Sequence, residues 1–187
     1  YVGTLDAKLT PPDVLLSAIE ALALDRYDLL ARLRVRFLGG ADLDSGTRLR
    51  AHLEAHPDLE VVRVDPFVSH EDASGEMRRA DLLVVLLASQ GHDVIPSKVF
   101  EYLGSGRPIL AIVPSGDARN LLVRCGVVVV CDPTDVTALA GILGRVAVEG
   151  RLVPSSPRDV DAVARYRWPV LAAEYAAMMQ ALVDRDR

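Results

Sequence analysis

Aromatic residues are scarce in this chain: Phe, Trp and Tyr together make up 5% of its 187 residues. Its core must therefore be filled by Leu, Val, Ala and Ile, and hydrophobic residues do account for 50% of the sequence. Long apolar runs are also missing, since none approaches the roughly 18 residues that a membrane-spanning helix needs. These features favour a globular α/β protein and argue against a membrane-spanning one.

Positive charge and cysteine are in short supply as well. The formal net charge of −5 argues against a nucleic-acid-binding protein that relies on a broad basic surface. The two cysteines, Cys125 and Cys131, stand beside apolar residues, so we expect buried, reduced thiols rather than a disulfide. This predicts a cytoplasmic location, and the heavy use of Arg, Ala and Val hints at a bacterial source.

Three familiar site motifs are absent. No G-x-G-x-x-G follows the first predicted strand, which disfavours a nicotinamide or flavin enzyme, and no G-x-x-x-x-G-K-[ST] loop is present. The cysteines form no cluster, and we find no metal-ligand spacing among the four histidines. We therefore predict neither a metal nor a cofactor. The histidines are His52, His56, His70 and His92.

Short β-branched runs alternate along the chain with helical patterns. This rhythm predicts an α/β fold, a Rossmann-like doubly wound parallel sheet of about six strands with a C-terminal helical tail. Strands are predicted at 1–3, 35–38, 60–64, 82–87, 109–113 and 127–130. Helices are predicted at 12–24, 47–55, 71–79, 97–104, 117–125 and 136–148.

Residues 1–150 form the predicted domain, and residues 151–187 form a linker and helical tail. The Gly/Pro/Ser-rich stretch 149–157 predicts the linker, and 158–183 reads as amphipathic helix broken near Pro169. We expect the tail to pack back on the domain or toward another one. Because the sequence opens in what reads as a strand, we also expect a missing N-terminal domain.

The segment PSKVFEYLGSGRP, residues 96–108, carries the most specific chemistry. Pro96, Ser97 and Lys98 resemble a helix start with Ser97 as its N-cap, and Glu101 lies about one turn beyond Lys98. A helix N-terminus with a nearby lysine attracts anions, and a carboxylate can accept hydrogen bonds from sugar hydroxyls. The segment follows the fourth strand, where parallel sheets bind ligands. We therefore predict a nucleotide diphosphate site.

Residues of two neighbouring loops are further candidates. Gly3, Thr4 and Lys8 follow the first predicted strand, where glycine permits close approach to a ligand and Lys8 offers a second cation. Asp93 is either a turn former or a carboxylate that faces the substrate. His92 beside it is a candidate proton carrier or hydrogen-bond donor to a sugar.

The loops after the second and third predicted strands leave two interpretations open. Gly39 and Gly40 allow a base or phosphate to approach, or simply form a tight loop. Phe67 and Val68 could flank a nucleobase, or pack as an ordinary hydrophobic loop.

Taken together, these blocks resemble the C-terminal, donor-binding half of a GT-B glycosyltransferase, most closely the retaining family 4 (glycosyl transferases group 1). The resemblance rests on YVGTLDAK, VRFLGG, the segment from Val64 through RRADLLVV and, above all, PSKVFEYLGSGRPILAI. It runs from Tyr1 to about Val148. The tail with Tyr166 and Trp168 resembles the terminal helix that crosses to the N-terminal domain.

The resemblance implies a role for each matching residue. Glu101 would match the second acid of the family's E-x7-E motif, which holds the nucleotide ribose, and Asp93 would match the first, which approaches the sugar. Lys8 resembles the lysine that binds the donor phosphates. Thr4 stands where many members carry an arginine, and Lys98 would compensate for it. The family's usual E-G-F-G loop is replaced here by residues 93–96.

The function implied is sugar transfer from a UDP-, GDP- or TDP-linked donor, with retention and without a metal or cofactor. Lys8 and Asp93 would act in catalysis. The residues expected to bind the donor are Gly3, Thr4, Gly39, Gly40, Phe67, His92, Ser97, Lys98 and Glu101. The acceptor would bind mainly to the missing domain, which would also make any peripheral membrane contact, so the isolated chain is expected to be inactive. Alternatives are a sugar-nucleotide epimerase and a non-catalytic nucleotide- or partner-binding α/β module.

Overall fold

A computed structural model of the chain describes residues 1–40, 43–126, 128–154 and 156–185. Its strands pair in parallel in two sheets, one of two strands (β1–β2) and one of three in the order β3–β4–β5. The predicted strand at 35–38 is confirmed, and the ends of the other named strands differ by one or two residues. Val127, placed in the last predicted strand, lies outside the described residues. The strands are β1 (Val35–Leu38), β2 (Val62–Asp65), β3 (Leu83–Leu86), β4 (Ile109–Ile112) and β5 (Val128–Cys131).

The first predicted strand is reduced to a single bridge. Val2 pairs in parallel with Leu38, and the Gly3 N–H donates to the Leu38 carbonyl at 2.8 Å. Gly3 then adopts a φ of +123°, which ends the extended conformation. The structure therefore describes five strands rather than about six, and the bridge lies on the edge of β1 opposite β2.

The three-stranded sheet is covered on both faces, as expected for a doubly wound fold. Along β4, Leu110 and Ile112 pack into the core beneath α1 and α6, while Ile109 and Ala111 pack into the core beneath α4 and α5. All four strand residues are buried, which accounts for the continuous apolar run ILAI. The α/β fold class predicted from the sequence is confirmed.

Eight helices are described. They begin and end within a few residues of the predicted bounds, except that α1 runs six residues further and α2 starts four residues earlier. The helices are α1 (Asp13–Leu30), α2 (Leu43–Ala55), α3 (His70–Arg79), α4 (Lys98–Ser105), α5 (Asp117–Cys125), α6 (Val136–Glu149), α7 (Val160–Ala164) and α8 (Trp168–Arg185). In the first of these, Arg26 has non-helical backbone angles, which marks a kink.

The tail consists of two helices with a break near Pro169, as the sequence predicts. The interruption falls at residues 165–167, and Pro169 lies in the first turn of α8. Proline is tolerated there because the first turn of a helix has no intrahelical acceptor for its missing N–H. The proline therefore marks the start of the second helix.

Hydrogen bonds attach the start of the tail to the domain, whereas most residues of its last helix are exposed. Asp159 donates its N–H to the carbonyl of Cys125 at 2.9 Å, and Arg158 donates to the carbonyl of Leu103. In α7, Ala162 and Val163 are buried in the core beneath α4 and α5.

Cys125 and Cys131 are both buried free thiols. Among the described helices, none is long and apolar enough to span a lipid bilayer.

Candidate functional site

The loops after the first chain segment and after β1 interlock through their backbones. The N–H of Leu5 donates to the Gly40 carbonyl at 3.2 Å. A Cβ atom on Gly39 would lie 3.1 Å from the backbone of Gly3, and both glycines have a φ of +123°. Neither position therefore accepts a side chain without strain. Both glycines predicted to allow close approach thus stand together at the carboxyl edge of the sheet.

Lys98 reaches into this edge from the start of α4. Its ammonium group donates a hydrogen bond to the Tyr1 hydroxyl and lies 3.8 Å from the centroid of the Tyr1 ring. A Cβ atom on Gly3 would stand 2.9 Å from the same nitrogen, so the glycine leaves room for the lysine. The structure thus joins Gly3 and Lys98, two residues predicted for the same site from distant parts of the chain.

The surroundings of Lys98 change its protonation. Burial lowers the pKa of Lys98 to about 8, against an ordinary value of 10.5, and the nearby Glu101 carboxylate opposes that shift. The ammonium is therefore still mostly charged at neutral pH but close to losing its proton. A bound anion at this point would favour the charged form.

Helix α4 is fixed by its buried face and presents its polar face outward. Val99, Tyr102 and Leu103 are buried, while Glu101 is exposed. The Tyr102 hydroxyl accepts the N–H of Val2 at 2.8 Å, which ties the helix to the chain segment that carries Gly3. Sequence reasoning did not single out Tyr102. The sequence feature that could have indicated its role is a tyrosine on the apolar face of a short helix, in a chain with few aromatic residues.

The first turn of α4 differs in detail from the prediction. Ser97 occupies the N-cap position, but its side chain accepts no capping hydrogen bond because its backbone is already helical. The N–H groups of Val99 and Phe100 donate to the carbonyls of Pro96 and Ser97. Within the described parts of the chain, the backbone N–H groups of Ser97 and Lys98 donate to no hydrogen-bond acceptor. Two backbone donors therefore accompany the Lys98 ammonium.

The predicted base-binding loop contributes an exposed ring. A Cβ atom on Gly40 would lie 3.0 Å from the ring of Phe67, so the ring stands directly over the Gly40 backbone. Phe67 is 70% exposed and Val68 is 40% exposed. The Phe67 ring therefore contacts Gly40 and is otherwise largely exposed, and its stacking on a nucleobase stays a prediction. Gly40 connects this ring to the interlocked loops at Gly3 and Gly39.

The loop after β3 is fastened on both sides. Gln90 donates from its side chain to the Lys8 carbonyl at 2.6 Å, which joins this loop to the first one. His92 accepts the Asp117 N–H at its carbonyl, and its Nδ1 lies 2.9 Å from the Ser115 carbonyl oxygen. Because that oxygen only accepts, Nδ1 carries the proton and Nε2 of the neutral ring is an acceptor.

Three predicted residues sit on these loops with exposed side chains: Thr4, Lys8 and Asp93. The Thr4 carbonyl accepts the Tyr1 hydroxyl at 2.8 Å, and the Lys8 N–H donates to the Asp6 carboxylate at 2.9 Å. These bonds order the first loop without using the Lys8 ammonium. The site residues thus form a connected group around Gly3, Lys98, Gly40 and Phe67, with Lys8, His92 and Asp93 on the loop pair beside it.

A cleft of about 270 Å³ opens next to this group, at the carboxyl ends of β3 and β4. Its lining includes Ala7 from the first loop, Gln90 from the loop after β3 and Pro133 from the loop after β5. Neither Lys98 nor Glu101 lines this cleft, so the cleft and the group around Lys98 are distinct parts of the candidate site.

The fold defines a class: the chain has the Rossmann-like fold of one half of a GT-B glycosyltransferase. Anabaena HepE, solved in complex with UDP and glucose, superposes with a TM-score of 0.67 at 17% identity, over 96% of this chain and 48% of that one. Sucrose-phosphate synthase from Thermosynechococcus elongatus superposes with a TM-score of 0.66 at 17% identity, over 98% of this chain and 46% of that one. The resemblance stated from the sequence is confirmed.

A particular relative also matches in sequence. The D-inositol 3-phosphate glycosyltransferase of Thermobispora bispora is 29% identical over 190 residues, which cover 99% of this chain and 43% of that protein. The chain therefore spans less than half the length of this curated relative. No protein-family model matches the chain.

Proposed function

We propose that this chain is the donor-binding half of a glycosyltransferase, which transfers a sugar from a nucleotide-diphosphate sugar to an acceptor. The observation that carries the proposal is the Lys98 ammonium, held against Gly3 at the carboxyl edge of the sheet with exposed Glu101 one turn further along. Similarity to a D-inositol 3-phosphate glycosyltransferase and to HepE, solved with UDP and glucose, supports it.

The diphosphate is the part of the donor that the positive groups recognise. Lys98, the two N–H donors at the start of α4, and Lys8 across the first loop supply positive charge where negative charge develops as the sugar leaves. We propose that these groups, rather than a metal ion, stabilise the departing diphosphate, and that transfer retains the anomeric configuration. Lys98 takes the place of the arginine expected at Thr4.

The nucleoside and the sugar occupy the two ends of the site. Glu101 is exposed on α4 and accepts hydrogen bonds from the ribose hydroxyls, while the exposed Phe67 ring stacks on the base. Asp93 and His92 face the transferred sugar from the loop after β3. Because Nδ1 of His92 donates to the Ser115 carbonyl, Nε2 of the same tautomer accepts a hydrogen bond from a sugar hydroxyl.

The acceptor binds to a second domain. Helix α8 exposes a series of large apolar side chains that the described part of this chain does not cover: Trp168, Tyr175, Met178, Met179, Leu182 and Val183. Surfaces of this kind mark interaction sites. We therefore propose that α8 docks on the acceptor-binding domain, and that residues 1–187 alone bind nucleotide without transferring sugar.

Calorimetric titration with UDP, GDP, ADP and TDP tests the proposal. We expect one nucleotide to bind with a 1:1 stoichiometry and to bind more tightly than its nucleoside, because the diphosphate supplies most of the charge recognition. Equal affinity for nucleotide and nucleoside would contradict the assignment of Lys98. Absence of binding by all four would contradict the whole proposal.

Turnover separates a transferase from a non-catalytic nucleotide-binding module. The protein extended by its acceptor domain should hydrolyse or transfer the sugar of the preferred donor, and residues 1–187 alone should not. Sugar transfer by the isolated chain would contradict the proposal that a second domain is needed to bind the acceptor. A longer protein that binds donor but never releases its sugar would favour the non-catalytic module.

A further inference from the structure

A cluster of three metal-ligating side chains lies on the face of the domain formed by α1 and the end of α2. Glu20 comes from α1, His52 from the last turn of α2, and His56 directly follows that helix. One ligand atom from each side chain lies within 4.8 Å of the other two. Sequence reasoning missed the cluster because the carboxylate comes from a different helix, so the two histidines alone gave no recognisable set.

The three side chains converge on one carboxylate oxygen. Glu20 Oε1 lies 2.7 Å from His52 Nε2 and 3.5 Å from His56 Nδ1. In a tetrahedral site with bonds of about 2.0–2.2 Å, the ligand atoms are about 3.3–3.5 Å apart. The contact with His56 already has that spacing, and the contact with His52 would have to open by about 0.7 Å. A rotation of the Glu20 side chain can supply such a change.

Two of these atoms are buried without a hydrogen bond. Glu20 Oε1 lies within ion-pair distance of both histidines, but neither this oxygen nor His52 Nε2 makes a hydrogen bond within the described residues. Burying polar atoms without a hydrogen bond is costly, so their persistence calls for a further partner. A cation that accepts the lone pairs of both atoms would satisfy them together.

The two histidine rings lie against each other at the edge of a cleft. The His52 and His56 rings stack with their centroids 4.5 Å apart and their planes at 23°. A cleft of about 230 Å³ is lined by His52 together with Asp13, Ser17 and Arg48, whereas neither Glu20 nor His56 is part of its lining.

We propose that Glu20, His52 and His56 form a divalent transition-metal site, best matched by Zn²⁺, that ties α1 to the end of α2. Two imidazoles and one carboxylate are a ligand set that zinc accepts, with the fourth position open to water or an outside ligand. The site shares no residue with the proposed nucleotide site, so the two proposals stand or fall separately. A metal here would stabilise the packing of the two helices, because it binds the folded chain better than the unfolded one.

Titration of the untagged, chelator-treated chain with Zn²⁺ tests this site. We expect one ion per chain, a rise in melting temperature on Zn²⁺ addition, and visible absorption bands of tetrahedral Co²⁺ when Co²⁺ replaces Zn²⁺. The isosteric Glu20→Gln, together with His52→Gln and His56→Gln, should each weaken Zn²⁺ binding at least tenfold. Circular dichroism of each variant establishes that it is folded.

His70→Gln is the matched control, because His70 is exposed at the start of α3 and outside the cluster. It should leave Zn²⁺ affinity unchanged. No saturable binding by the wild-type chain would overturn the proposal. So would equal weakening by His70→Gln, or undiminished binding by folded Glu20→Gln and His52→Gln proteins, since either result would place the ion elsewhere.

Discussion

Helices α4 and α8 both carry large apolar side chains, yet the molecule uses them in opposite ways. In α4, the apolar residues Val99, Tyr102 and Leu103 are at most 1% exposed, and the polar residues face the candidate site. In α8, Trp168 and Tyr175 are 83% and 66% exposed. In α4, the apolar side chains are buried within the chain and hold the polar side chains in position. In α8, the apolar side chains are exposed, which indicates a surface that binds another domain.

The largest expected effect is on the free energy of unfolding, which distinguishes a buried tyrosine of α4 from an exposed tyrosine of α8. Tyr102→Ala should lower the free energy of unfolding by about 3–5 kcal/mol, because it empties a buried site and removes the acceptor of the Val2 N–H. Urea unfolding followed by circular dichroism measures the change. Tyr175→Ala is the matched control in α8 and should change the free energy by less than about 0.5 kcal/mol. Comparable losses in both variants would show that α8 is packed within the isolated chain.

The next effect concerns the binding role of the exposed face of α4. Glu101→Ala should weaken binding of the preferred nucleotide about 10- to 100-fold, because hydrogen bonds to a charged group contribute about 1.5–3 kcal/mol. The nucleotide's free base should bind the variant and the wild-type chain equally well. Glu174→Ala removes an exposed carboxylate from α8 and should leave affinity unchanged. Calorimetry in which Glu101→Ala binds like the wild type would remove Glu101 from the site.

A smaller effect is expected from the titration of Lys98. Since the pKa of Lys98 in the folded protein is about 8, the side chain is positively charged below that pH and loses its charge as the pH rises through it. Nucleotide affinity should therefore fall between about pH 7 and pH 9.5, by up to about tenfold per pH unit, until the pKa of the complex is passed. Calorimetry across this range checks the slope. Lys98→Arg, which stays charged, should bind with little dependence on pH. A persistent slope in Lys98→Arg would assign the effect to another group.

The smallest expected effect sharpens the account of α4 itself. Gly104 lies in the last turn of the helix, and a Cβ atom there would meet nothing within 4 Å. Gly104→Ala should therefore stabilise the chain by about 0.4–1 kcal/mol without changing nucleotide affinity. Thermal unfolding measures it. Gly106 caps the same helix with a φ of +74°, so Gly106→Ala should destabilise the chain. Stabilisation by both substitutions would contradict the described helix end.

Much of the fold was predictable because its signals are local. The bounds of β1 and α5 follow directly from an apolar run and from a helical pattern ended by Gly126. The break in the tail near Pro169 was also predicted, because proline marks the first turn of α8. The first strand was predicted less well. Gly3 reduces it to a bridge through its positive φ, a conformation that the residue type permits but does not by itself impose.

The sequence by itself determined that this is an α/β protein with a helix start, Lys98 and Glu101 placed after a buried strand, because periodicity, turn residues and spacing act over a few positions. Only the tertiary structure decided which distant residues meet: Lys98 with Gly3, and Glu20 with the two histidines of the metal-ligating cluster. Such contacts depend on how helices and loops pack across the sheet. That packing is set by the combined burial of many side chains and is not encoded at any single position.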